Sequence, residues 1–138
     1  MAEAGVPPII ADDRVLRRVR PLHVVNDPKA DGGRRASAAA FTDDDDGSPM
    51  SVYLRSIVLQ LGLAEADVVN GKPIGWAVAS IPLQTLIDEE QEIALDPVHD
   101  PPEPHPCDSA HALVTGVKTP KGRRDRISKA SPLVFVVG

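Results

Sequence analysis

The chain has 138 residues, 42% hydrophobic and 25% charged, with a mean hydropathy of -0.12, which excludes a fibrous or disordered chain and fits one domain. No apolar run approaches the roughly 18 residues of a membrane span, and no basic-then-apolar leader opens the chain, so the expectation is a cytoplasmic protein without a membrane partner. The formal charge of -5 conceals three zones: residues 1–35 carry net +2, residues 36–117 net -12 and residues 118–138 net +5.

Such polarity predicts that the two ends lie on the acidic middle or face a separate anionic partner. The single Cys107 excludes an internal disulfide and agrees with a reducing compartment. Only four aromatic residues occur, Phe41, Tyr53, Trp76 and Phe135, so the core is expected to be aliphatic and a base-stacking surface is disfavoured.

Residues 1–12, with Pro7-Pro8 and no usable period, read as a flexible tail, leaving 13–138 as a single domain. Residues 14–25 alternate imperfectly and predict a strand broken or bulged at Pro21, because proline cannot donate to an interior ladder. The turn-rich stretch 26–35 predicts a loop, with Gly32 and Gly33 able to take positive φ. A short strand is expected over 36–42, followed by four adjacent carboxylates, Asp43 to Asp46, which repel one another and belong in solvent. Residues 47–62 predict the best helix: Ser48 can cap, Pro49 suits the first turn, and Met50, Leu54, Ile57, Val58 and Leu61 recur at helical steps before Gly62.

The apolar run 74–81 predicts a strand covered on both faces, Ser80 and Pro82 to Ile87 a short helix, and 91–96 another strand. Five prolines within 97–106 make a stiff extended loop. Residues 110–117 alternate as a strand, 119–130 form a basic helix ended by Pro132, and 133–137 are dense enough in branched residues for a buried terminal strand. The expected class is therefore α+β: a mixed, mostly antiparallel sheet with about three helices largely on one face.

His99, His105 and His111 with Cys107 are ligand types that zinc favours, but compact sites use shorter spacings, so no metal and no cofactor is expected. The run Asp43 to Asp46 lacks the alternation and final glutamate of an EF-hand loop. A phosphate loop, dinucleotide fingerprint, nucleophile elbow and zinc-protease helix are all missing. Cys107 could serve as a nucleophile with His105 or His111 as base, an arrangement that spacing alone grants to many inert cysteines. The basic cluster Lys118, Lys121, Arg123, Arg124, Arg126 and Lys129 could meet phosphates, yet the acidic middle disfavours nucleic acid and favours a protein partner.

Arg18, Gly32-Gly33-Arg34-Arg35, Ser37-Ala38-Ala39-Ala40-Phe41, the stretch from Gly47 to Leu54 and Ala110 to Gly116 together resemble a family of small uncharacterised bacterial proteins, which implies no activity. The first part is also similar to NAD-using ADP-ribosyltransferase and RES-type domains, where an early strand arginine contacts the cofactor and a later tyrosine stacks on nicotinamide. The resemblance places Arg18 and Tyr53 at those positions. The chain departs from them in lacking a Gly-Arg-Trp-Asn element and a clear late catalytic glutamate.

Two expectations follow. The first is a non-enzymatic bacterial accessory or protein-interaction protein that uses its charged ends, chiefly Lys121, Arg123, Arg124 and Arg126, and the Pro-rich loop. The alternative is a small nucleotide- or NAD-binding enzyme, or a degenerate relative, in which Arg18, Tyr53 and His111 are the catalytic candidates and Arg34 and Ser51 the cofactor-binding ones. Its geometric requirement is that these five side chains share one cleft.

Overall fold

The computed structural model describes residues 13–43, 47–96 and 106–138; the predicted tail, Asp44 to Asp46, and the Pro-rich loop with His99 and His105 lie outside the described residues, apart from Pro106. A six-stranded sheet is built from β1 (Arg14–Val19), β4 (Met50–Leu54), β5 (Ala77–Pro82), β6 (Glu92–Leu95), β7 (His111–Thr115) and β8 (Leu133–Val136). Its order is β6-β7-β4-β1-β5-β8 and every neighbouring pair is antiparallel. A separate two-stranded ribbon pairs β2 (Val24–Asn26) with β3 (Arg34–Ala36). Helices α1 (Arg55–Gln60), α2 (Leu83–Asp88) and α3 (Lys121–Lys129) complete a small α+β fold. Among the described residues no helix is long and apolar enough to cross a membrane.

Strands β1 and β4 occupy the middle of the sheet, and Val15, Leu16, Val19, Met50, Val52 and Leu54 are fully buried. Phe41 and Ile127 join the same apolar cluster from outside the sheet. Pro21 does not bulge a longer strand. It opens a short 3-10 turn, Pro21–His23, through which the chain leaves β1 and enters the ribbon.

The helix expected over 47–62 is half wrong, and the error is instructive. Met50 to Leu54 is strand β4, and only Arg55–Gln60 is helical. Met50, Leu54 and Ile57 satisfy a helical step, but Met50, Val52 and Leu54 satisfy an alternating one equally well. Pairing to β1 on one side and β7 on the other supplies the ladder that decides it. Leu61 accordingly stays 45% exposed, while Gly62 does end the helix at φ +79°.

Two smaller corrections share a cause. The strand expected at 36–42 stops at Ala36, and Ala38–Ala40 form a 3-10 turn. The terminal strand β8 is an edge, bound only to β5, so Val134 and Phe135 each keep 39% of their surface exposed instead of being buried. In both places local residue type set the expectation and tertiary neighbours set the outcome.

Candidate functional site

The sheet register assembles a polar site on one face. Leu16 of β1 pairs with Tyr53 of β4, and Tyr53 pairs in turn with His111 of β7. Because partners across an antiparallel ladder project to the same side, Tyr53 and His111 are cross-strand neighbours, and Arg18 and Ser51, each two residues along its strand, share their face. The Tyr53 and His111 rings meet edge to face with centroids 5.6 Å apart. The Arg18 guanidinium lies over the Tyr53 ring, 4.9 Å from its centroid, and its Nε donates to the Val68 carbonyl.

These four residues line a cleft of about 520 Å³. Its walls are completed by Arg17 and Arg20 at the end of β1, His23 in the turn that follows, Ala39, Ala40, Thr42 and Asp43, and Lys72 and Trp76 ahead of β5. Lys72 Nζ sits 4.8 Å from the Trp76 ring centroid, a second cation–aromatic pair in the same wall. Gly75 brings that wall in: at φ +99° a Cβ there would lie 3.1 Å from the Pro21 ring, so only glycine lets the 72–76 segment close against the turn.

Arg17 lines the cleft and also holds its wall together. Its guanidinium donates to the carbonyls of Ala40 at 3.1 Å, Ser51 at 2.8 Å and Thr42 at 3.3 Å, pinning the 38–42 segment to the sheet. His111 is likewise held, its Nδ1 2.8 Å from the Asp96 carbonyl oxygen and 3.4 Å from the Asp96 carboxylate. A carbonyl can only accept, so Nδ1 carries a proton, and Nε2 is the nitrogen that accepts whenever the ring is neutral. Burial raises the Tyr53 pKa, with the Arg18 charge acting in the opposite sense, so the phenol stays protonated at neutral pH.

Among the described residues, the lining of the cleft carries more cations than carboxylates. Arg17, Arg18, Arg20 and Lys72 face one described carboxylate, Asp43, whose Oδ1 is 2.6 Å from Lys118 Nζ. Lys118 is itself 6% exposed and donates further to the Val114 carbonyl at 2.9 Å and the Gly116 carbonyl at 3.2 Å.

Of the five residues expected to converge, Arg18, Ser51, Tyr53 and His111 do so. Arg34 does not; it lies on a different cleft with Asp27 and Lys129. Sequence reasoning missed Arg17, Arg20, His23, Lys72 and Trp76. The run Arg17-Arg18-Val19-Arg20 at the end of a strand that stops before Pro21 was the available signal.

The basic helix has another fate. Arg126 makes a two-pronged pair with Glu89, Nη2 to Oε1 at 2.8 Å and Nε to Oε2 at 2.9 Å. That hydrogen bond holds the Glu89 carboxyl below its ordinary pKa and raises that of Arg126. Arg123 lies 3.7 Å from both Glu89 and Glu90 and donates to the Val117 carbonyl at 2.6 Å, and Lys121 pairs with Asp125 at 3.2 Å. The Arg124 Nε is buried without a hydrogen bond to a described residue.

Cys107 is fully buried, and burial pushes its thiol up to about 11, with the Asp67 charge adding to the rise. At neutral pH it is a thiol and not the thiolate that nucleophilic chemistry needs, which removes it as a nucleophile. Among the described residues no three His, Cys, Asp or Glu side chains gather as a metal site. Comparison with protein-family models, curated proteins and solved structures finds no match to this chain.

Proposed function

We propose that this protein binds a nucleotide-type anion in the cleft between β1, β4 and β7. The observation that carries the reading is the convergence of Arg18, Tyr53 and His111 through strand register, in a cavity whose described lining includes the cations Arg18 and Lys72 and one engaged carboxylate, Asp43. Arginine and lysine supply charge-assisted donors for phosphate oxygens, and the Trp76 ring offers an aromatic surface for a base. A volume of about 520 Å³ suits a mononucleotide or part of a dinucleotide. The likeness of Arg18 and Tyr53 to the cofactor-contacting pair of NAD-using domains points the same way.

Binding is better supported than turnover. The single described acid in the cleft, Asp43, is tied to Lys118, which leaves the acceptor nitrogen of His111 as the proton-handling group best placed by its hydrogen bonds. The accessory-protein reading is weakened because Arg126, Arg123 and Lys121 already spend their charge on Glu89, Glu90 and Asp125.

A thermal-shift series with NAD, ADP, adenosine and inorganic pyrophosphate tests the reading. A ligand at about 100 times its Kd stabilises the folded state by about 2.7 kcal/mol, a rise of several degrees in Tm. NAD and ADP are expected to raise Tm, adenosine far less, and Arg18→Ala to cut the rise by about half or more. No rise with any phosphate-bearing compound overturns the assignment.

A further inference from the structure

Three cations of the chain ends that no described carboxylate has taken gather away from the first cleft. Lys29, Arg34 and Lys129 make no ion pair among the described residues, and all three border a second cleft of about 450 Å³ that shares no lining residue with the first. Its walls are the 27–33 turn, strand β3 and the end of α3.

Both of its described carboxylates are engaged, Asp27 within the cleft wall itself. Asp27 accepts from the Lys29 backbone N–H at 3.0 Å and lies 3.2 Å from Arg35 Nε, while Asp125 holds Lys121. The walls are also fixed in position. The Asp27 N–H reaches the Gly33 carbonyl at 2.9 Å to close the turn, and the buried Ser128 hydroxyl donates to the Ala36 carbonyl at 2.7 Å, stapling α3 to β3. Pro132 and Leu133 add an apolar surface beside the charges.

We propose that this second cleft binds a small organic phosphate. Its three available cations stand on three separate elements, so they approach a ligand from different directions. A tetrahedral phosphate monoester offers three terminal acceptor oxygens to such a set, whereas a carboxylate offers two in one plane. Lys129 sits in the last turn of α3 and offsets the negative end of that helix, which would otherwise oppose an anion there. The apolar surface suits the carbon skeleton that carries the phosphate.

Amide chemical-shift titration of the full chain with phosphoserine, and separately with succinate, tests the assignment. Phosphoserine is expected to shift residues 29–35 and 128–132 saturably, and Arg34→Ala combined with Lys129→Ala to weaken that binding about tenfold or more. Arg18→Ala leaves it unchanged, which separates this site from the first. Both substituted side chains are exposed, and the single Arg34→Ala variant, with unchanged spectral dispersion, serves as the folded control. Succinate binding as tightly as phosphoserine, shifts confined to the Arg18 cleft, or unaltered affinity in the double variant would each overturn it.

Discussion

Two groups of basic residues, one at the end of β1 and one on α3, look alike as letters and behave differently in the fold. On α3, Arg126, Arg123 and Lys121 meet Glu89, Glu90 and Asp125, so the charge is neutralised within the molecule. At the end of β1, Arg18 meets a carbonyl and a ring among the described residues. Carbonyls and rings orient a guanidinium without cancelling its charge. Density of positive charge along the sequence is therefore a poor guide to a site, and the chemical nature of each cation's partner is a better one.

The contrast can be broken at several strengths. The largest effect is expected at Lys118, where Lys118→Met leaves the buried Val114 carbonyl, the Gly116 carbonyl and the Asp43 carboxylate without their donor and costs about 3 kcal/mol, read as a lower urea midpoint. A loss below about 1 kcal/mol would mean that this cation is not structural. Next comes Arg17→Ala, which strips the donor from three carbonyls at once. About 2 kcal/mol is expected in the same measurement, and Arg17→Lys restores only part of it, because one ammonium cannot reproduce the planar fork.

Arg18→Ala acts mainly on function. Nucleotide affinity falls about tenfold or more by calorimetry while stability changes by about 1 kcal/mol. Equal loss of both would make Arg18 a packing residue.

Glu89→Gln tests the neutralised side through pH. The folded-state pKa of Glu89 is depressed, so its contribution is present above the ordinary carboxylate range and disappears as pH falls through the folded value. Wild type and variant are expected to differ at pH 7 and converge in acid, with the difference shrinking in high salt. Lys121→Ala is the smallest change, about 0.3 kcal/mol for an exposed pair one helical turn apart.

Legibility followed the range of the interactions concerned. Strands β5, β6, β7 and β8 and helices α2 and α3 fall within a few residues of their expected positions, because each is bounded by Pro, Gly or a charge run that permits one reading. The 47–62 stretch failed because its apolar residues satisfy two periods, and only the strands beside it choose between them. The gathering of Arg18, Ser51, Tyr53 and His111 was anticipated as a group, while Arg34 was misplaced because the 27–33 turn carries it to the far end of the ribbon, away from His23. Opposing Tyr53 to His111 depends on pairing across 58 positions, and nothing in either segment alone encodes it. The fate of the basic helix was equally hidden, since Arg126 and Glu89 lie 37 residues apart.

Because the first cleft is written in strand alignment, its tolerance to insertion and deletion should be sharply uneven. One residue added inside β1 between Leu16 and Arg18 would turn the guanidinium to the opposite side of the sheet, as surely as replacing it. Residues added to the connections between strands leave the alignment intact. Chains that inherit this cleft can therefore diverge freely in loop length, yet must keep the spacing from Leu16 to Arg18 and from Ser51 to Tyr53.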